Sequence, residues 1–205
     1  AGNLWLEVPP EAEKLMDTFW PGPLTLIFRR AECVPDEVTA ELDTVAVRMP
    51  HNPTALALIE KAGVPVVAPS ANLSGKPSPT RAEHVLRDME GKIPLILDGG
   101  PCRFGVESTV LSLVGIPTIL RPGAVTKEML GAVIGEVQLA DCLLHPLKAG
   151  EKVLSPGMKY RHYAPKAQVY VVTGEPEKAG RRILERYAAM EAQGKTVEIA
   201  GTEQT

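Results

Sequence analysis

Glycine and proline close off nearly every apolar run in this chain, which limits it to short elements joined by turn-rich loops. The sequence holds 18 glycines and 19 prolines in 205 residues, above the usual combined share of about 12%. They gather in WPGP (20–23), SANLSGKPSP (70–79), DGGPCRFG (98–105), RPG (121–123) and SPGM (155–158). Two prolines cannot continue a helix, so the helix predicted over Glu11–Phe19 stops at Trp20. Strands are predicted at Leu24–Phe28, Thr44–Arg48, Val64–Ala68, Leu95–Leu97, Thr109–Leu113 and Thr118–Leu120. Asn52 caps a helix with Pro53 at its first position, which runs to Ala62 and ends at Gly63. Thr80 opens another, with Glu83 three residues on as a capping box. Thr126 opens a third, to about Ile134.

Strands alternate with helices, but some neighbours are strand and strand. That predicts an α/β fold built on an open, twisted mixed sheet with helices, not a purely doubly wound one. The catalytic-type domain is expected over residues 1–137. A linker rich in Pro, Gly, Lys and His covers 138–167. Residues 168–205 open a second, Rossmann-like domain: strands at Val169–Val172 and Val197–Ile199 flank a helix near Glu177–Gln193. One such unit of about 40 residues cannot bury a core alone.

Several classes fall away. The formal net charge is −3, which argues against a general nucleic-acid coat but leaves room for a local basic pocket. No apolar run reaches the roughly 18 residues of a membrane helix, and no signal peptide is visible. Cys33, Cys102 and Cys142 are odd in number and far apart, unlike a disulfide framework or a zinc site. They read as reduced thiols of a cytoplasmic protein, and Cys102 as a packing residue. Neither a P-loop nor a GxGxxG fingerprint is present.

Three segments carry chemistry. The loop Ser70–Thr80 leaves an apolar run and enters a helix, where free N–H groups meet ligands at strand ends. Ser70 and Asn72 offer short donors and acceptors there, and Thr80 is a cap within reach of a phosphate. The plain alternative is a loop using Ser and Asn for its own turns. The loop Asp98–Thr109 has glycines for close backbone approach, with Ser108 at the mouth of the next strand. Arg48 and Arg121 both stand at strand ends, and a guanidinium holds a carboxylate or phosphate bidentately; the alternative is an ordinary ion pair. Together these groups read as an anion-binding pocket. Lys159, Tyr160, Arg161, His162 and Tyr163 lie in the linker, where they could stack on a base, reach phosphates and exclude water. His162 could serve as a general base, whereas His51, His84 and His145 read as surface or cap residues.

Trp20-Pro-Gly-Pro-Leu-Thr25, Val45-Ala-Val-Arg-Met-Pro50, Ala68-Pro-Ser-Ala-Asn-Leu-Ser-Gly75, Glu107-Ser-Thr-Val110 and Leu120-Arg-Pro-Gly123 resemble the YrdC-like threonylcarbamoyl-AMP synthases. Pro156-Gly-Met-Lys-Tyr-Arg-His-Tyr-Ala-Pro165 looks like the linker of the longer, two-domain branch. The resemblance runs from about Glu11 to Val172. It implies a YrdC-like fold and a nucleotidyltransferase, L-threonylcarbamoyladenylate synthase. ATP, L-threonine and bicarbonate would give threonylcarbamoyl-AMP, pyrophosphate and water. The product would pass to the machinery that transfers threonylcarbamoyl to adenosine 37 of tRNA, with a weak contact to tRNA itself. By similarity Arg48, Ser70 and Ser108 would hold threonine. Thr44, Asn72, Thr80 and Arg121 would hold the nucleotide, and Lys159 to Tyr163 would form a lid. Mg²⁺ is expected with the triphosphate, with no tightly bound cofactor and no protein-held metal.

The family begins with a segment whose Lys/Arg cluster binds ATP phosphates, and nothing before Trp20 matches it. The second domain also stops early. The chain is therefore expected to be an internal stretch of a longer protein that binds ATP weakly by itself. Other readings are a carbamoyl-adenylate-forming domain of the same fold, a tRNA or double-stranded-RNA binding module, and a non-catalytic remnant. The linker and the lack of zinc-finger cysteines speak against the first, and the net charge against the second.

Overall fold

The computed structural model describes residues 4–144 and 168–201. The chain divides into two compact units, Ala1–Tyr163 and Ala164–Thr205. In the first, α1 (Pro10–Phe19) has proline in its first turn, where a missing N–H costs nothing. Glu11 and Glu13 sit at the positive end of its dipole. Pro21 and Pro23 end the helix, and β1 (Leu24–Arg29) follows. Next come α2 (Asp36–Thr39), β2 (Thr44–Val47), α3 (Pro53–Ala62) and α4 (Ala82–Met89). Then β3 (Thr109–Ser112), β4 (Thr118–Arg121), α5 (Lys127–Ile134), β5 (Gln138–Leu139) and α6 (Asp141–Leu144) complete the described part.

The five strands form one mixed sheet in the order β2-β1-β3-β4-β5. β1 runs antiparallel to β2 and parallel to β3; β4 is antiparallel to β3 and parallel to β5. This is the mixed open sheet the strand–strand neighbours predict. On one face Ala12 and Leu15 of α1 and Leu130 of α5 meet Leu24, Leu26, Phe28, Leu111 and Ile119, all buried. Fully burying a side chain of this size contributes roughly 1.5–3 kcal/mol, so this layer is the main source of cohesion. A smaller cluster, Ile27, Val110 and Leu120 with Ala140, marks the other face.

Element ends follow local chemistry. Asn52 caps α3 by accepting from the N–H groups of Thr54 and Ala55, and Gly63 closes it in the left-handed region. Thr126 caps α5 by accepting from Met129 N–H. At α4 the predicted capping box is corrected. The cap residue is Arg81, which makes no side-chain cap bond, and the Thr80 N–H instead donates to His84 Nδ1 at 3.3 Å. The short α2, β5 and α6 carry too few residues to show a periodic pattern. β5 also moves residues 138–139 from the expected linker into the sheet.

Four predicted strands are absent from the sheet. Val64–Ala68 and Leu95–Leu97 lie outside any ladder, and Val67 and Leu95 are 66% and 69% exposed. In the second unit, α7 (Pro176–Glu191) is present, but neither Val169–Val172 nor Val197–Ile199 is a strand. An apolar β-branched run becomes a strand only where another backbone supplies its hydrogen bonds, and the described residues supply none to these four. Within this unit the Arg186 guanidinium stacks on the Tyr170 ring at 3.6 Å. No helix among the described residues is long and apolar enough to cross a membrane.

Leu111→Ala should cost about 2–5 kcal/mol of unfolding free energy, whereas Val67→Ala should stay within roughly 0.5 kcal/mol. Denaturant melts of the two variants, side by side, measure the contrast.

Candidate functional site at one end of the sheet

The mixed sheet brings polar groups from three strands to one end. Thr25 of β1 sits in register with Val110 of β3, and Val110 with Arg121 of β4. Ser108, two residues before Val110, is buried, and its Oγ lies 2.7 Å from Thr25 Oγ1. The Arg121 guanidinium donates twice to the Ser108 carbonyl, at 3.1 and 3.0 Å, and once to Ser108 Oγ at 3.1 Å. Arg48 follows Val47, the partner of Leu26, so it leaves β2 beside Thr25. The two chains stay adjacent beyond it, since Gly22 N–H donates to the Met49 carbonyl. Arg48 is exposed and has no ion-pair partner among the described residues.

These groups lie at the amino ends of the parallel strands β1 and β3 and at the carboxyl ends of β2 and β4. In a mixed sheet one edge thus holds both kinds of strand end. Thr44 stands apart from this cluster. It pairs with Arg29 at the far end of β2, beside the Arg29–Asp43 ion pair. Four residues of extended chain separate it from Arg48, about 13 Å.

Backbone packing holds the cluster. A Cβ on Gly123 would strike the Glu107 carbonyl oxygen and come within 2.5 Å of the Thr109 nitrogen. The buried Thr109 hydroxyl donates to the Val125 carbonyl at 2.6 Å and accepts from Val125 N–H at 3.1 Å. RPG therefore turns tightly over the start of β3 and fixes where Arg121 meets Ser108.

The loop Ser70–Thr80 forms a second cluster. Ser70 is exposed and Asn72 half-buried. The Asn72 Nδ2 donates to the carbonyls of Leu73 and Lys76 at 2.9 and 3.0 Å. Asp88 on α4, 7% exposed, accepts from Leu73 N–H at 3.3 Å and from Lys76 Nζ at 2.5 Å. That Lys76 hydrogen bond holds the Asp88 carboxyl below the usual carboxylate range, against the pull of burial; Leu73 N–H and the charges of Lys76 and Lys92 add to it. Thr80 joins the second glycine loop, because its carbonyl accepts from Cys102 N–H at 2.9 Å. Asn52 Nδ2 in turn donates to the Gly99 carbonyl at 2.8 Å. Asn52 is only four residues from Arg48, at most about 14 Å of chain, so the second glycine loop is moored to the stretch that follows the arginine. Cys102 is exposed, which corrects its reading as a packing residue; its thiol lies 3.9 Å from the Pro79 carbonyl.

Thr25, Asn52 and Asp88 carry roles that sequence reading did not assign. Thr25 is a polar residue inside the apolar run LTLIF, a weak signal. Asn52 was legible only as a cap. Asp88 lies 12 residues from Lys76 on a different element, a spacing with no local signature. Lys159, Tyr160, Arg161, His162, Tyr163 and His145 fall outside the described residues. Among the described residues no group of three or more His, Cys, Asp and Glu converges to hold a metal.

A family model named for Sua5, YciO and YrdC, and described as "Telomere recombination", matches residues 1–123. The chain belongs to the Sua5–YciO–YrdC family. A second model, "Threonylcarbamoyl-AMP synthase, C-terminal domain", matches residues 125–205. The chain is 51% identical over 200 residues to a threonylcarbamoyl-AMP synthase of Pyrococcus abyssi, covering 96% of this chain and 57% of that protein. It is 54% identical over 182 residues to one of Bacillus subtilis, covering 86% of this chain and 51% of that protein. A crystal structure of P. abyssi Sua5 complexed with L-threonine superposes with a TM-score of 0.86 and 48% identity, over 98% of this chain and 59% of that one. The chain thus spans a little over half the length of these Sua5 relatives.

Two outcomes follow from this geometry. Gly123→Ala should cost about 1–3 kcal/mol, the scale of overpacking a tight site, read as a lowered melting temperature. Asp88 contributes stability above its unfolded titration range, lost as pH falls through its depressed folded value. Lys76→Met should therefore move the Asp88 carboxyl titration upward in an NMR pH series.

Proposed function

We propose that this chain carries the threonine- and nucleotide-binding site of an L-threonylcarbamoyladenylate synthase, a cytoplasmic nucleotidyltransferase. The reading is supported above all by one observation: Arg48 and Arg121 flank the Thr25–Ser108 hydroxyl pair at a single sheet end. Two cations beside two hydroxyls suit a small hydroxy amino acid whose carboxylate needs a bidentate partner. The relatives' names and the threonine-bound P. abyssi structure support the same substrate.

Arg48, exposed and with no acidic partner among the described residues, is the group that would receive the threonine carboxylate, with Ser108 and Ser70 as hydroxyl contacts. Arg121 already spends donors on Ser108, so it would orient that hydroxyl while facing the nucleotide. Asn72 and Thr80 would contact the nucleotide from their loop. Thr44 would require a ligand extending about 13 Å along β2 from Arg48, and it is the weakest member of the set.

The chemistry asks for positioning and fixed positive charge more than for a covalent nucleophile. The neutral threonine amine combines with bicarbonate to give a carbamate, releasing water. A carbamate oxygen attacks the α-phosphorus of ATP and the α–β bridging oxygen leaves with pyrophosphate. Magnesium would arrive on the triphosphate, which needs few protein ligands. The adenylate would then pass to the enzymes that modify adenosine 37 of tRNA. Lys159 to Tyr163 would exclude water from the adduct.

The decisive assay is pyrophosphate release with threonylcarbamoyl-AMP detection, with and without L-threonine. It is run on this chain and on any longer reading frame that contains it. Threonine-dependent release is expected, and release independent of threonine would overturn the reading in favour of carbamoyl-adenylate chemistry. Arg48→Ala removes a charged hydrogen bond worth about 1.5–3 kcal/mol, so threonine affinity by calorimetry should fall roughly 10- to 150-fold.

A further inference from the structure

We propose that Asp88 is a positioning residue of the ligand site: from α4 it clamps the loop Ser70–Pro79 so that the unpaired amide oxygen of Asn72 keeps its orientation. This rests on the reading of that loop as part of the synthase site.

Asn72 provides the reason to look for a clamp. Its side-chain nitrogen faces two carbonyls, those of Leu73 and Lys76, so the amide orientation is set: only the NH₂ group can donate to both. The oxygen is therefore turned the other way. Asn72 Oδ1 is shielded from solvent and accepts no hydrogen bond from the described residues. A shielded acceptor without a donor is unfavourable unless a partner arrives, and a ligand N–H or O–H would supply one. The orientation survives only while the carbonyls of Leu73 and Lys76 stay in place.

Those two residues are the ones Asp88 holds. One carboxylate oxygen accepts from Leu73 N–H, and the other from Lys76 Nζ. The loop adds its own closure, Lys76 N–H to the Leu73 carbonyl at 3.0 Å. Lys92 Nζ donates to the Asp88 carbonyl at 2.7 Å and ties the end of α4 to the same point. A charged acceptor on a helix thus grips both ends of the short arc whose carbonyls orient Asn72. The carboxylate is almost fully covered, which suits a fixed anchor more than a surface ion pair. Asp88 touches no part of the Arg48–Ser108 cluster in the bonds it makes, so its influence on ligands runs through Asn72.

The test is a double-mutant cycle on the whole chain, with ATP and L-threonine as titrants and amide exchange as a second readout. Asp88→Ala should speed exchange at Leu73 N–H by at least about 10-fold and weaken ATP binding by a similar factor. Asp88→Asn, which keeps an acceptor for Leu73 N–H, should restore much of both. In the Asp88→Ala background, Asn72→Ala should add little further loss, because its orientation is already gone. A residue that merely stabilised the fold would lower the melting temperature and leave the Asn72 effect additive. Wild-type exchange at Leu73 in Asp88→Ala, or full additivity with Asn72→Ala, would overturn the proposal. Should neither the chain nor a longer reading frame that contains it bind either ligand, the reading of the site fails, and Leu73 exchange alone decides whether Asp88 clamps the loop.

Discussion

The parallel pairing of β1 with β3 is the constraint from which the rest follows. Leu24 to Ile27 lie in register with Thr109 to Ser112, although some eighty residues of chain separate them. The Thr25–Ser108 hydrogen bond spans the same gap. After β2, the chain leaves the sheet through both glycine loops and must return beside β1. Long-range pairing of this kind pays its loop-closure entropy before its contacts form. The buried layer of Leu24, Leu26, Leu111 and Leu15 offsets that cost, and the polar end of the sheet is carried by it.

The same pairing explains why the two arginines matter together. β2 and β4 flank the β1–β3 pair on opposite sides, and both run antiparallel to their inner neighbour. Their carboxyl ends therefore emerge at the edge where β1 and β3 begin. Arg48 and Arg121 are separated by more than seventy residues in sequence, yet strand direction alone delivers both guanidiniums to one edge. Arg121 is held on Ser108, while Arg48 makes no ion pair among the described residues. The two cations stand on either side of the β1–β3 pair, about 14 Å apart along the sheet.

Much of this was legible in sequence where local chemistry decides structure. Asn52, Gly63 and Thr126 mark helix ends because a cap side chain or a left-handed glycine is a local requirement. The strands at Leu24, Thr44, Thr109 and Thr118 were legible because each apolar run also finds a neighbour. Val64–Ala68 and Leu95–Leu97 have the same composition but no ladder. Composition reports the capacity to pair, not the presence of a partner. The site divides likewise. Ser108, Arg48 and Arg121 stand out as polar groups at strand ends. Thr25 and Asp88 do not, because their roles depend on partners 83 and 12 residues away.

The glycines and prolines take on a different meaning in this light. Gly123 is required by close backbone approach to Glu107 and Thr109, and Gly99 packs against the Asn52 side chain. Both lie where one loop must touch another element, not merely where the chain turns. Asn52 to Gly99, Cys102 to Thr80, and Thr80 to His84 form a run of hydrogen bonds from α3 through both loops to α4. Asp88, one turn beyond His84 on the same face of α4, extends that run by gripping Leu73 and Lys76. Loops that would be mobile by composition are thereby tied at several points to short helices. A helix of two or three turns such as α4 gains little from its own hydrogen bonds. The loops and α4 therefore stabilise one another, and a ligand that engaged Asn72 would tighten the loop and the helix as one unit.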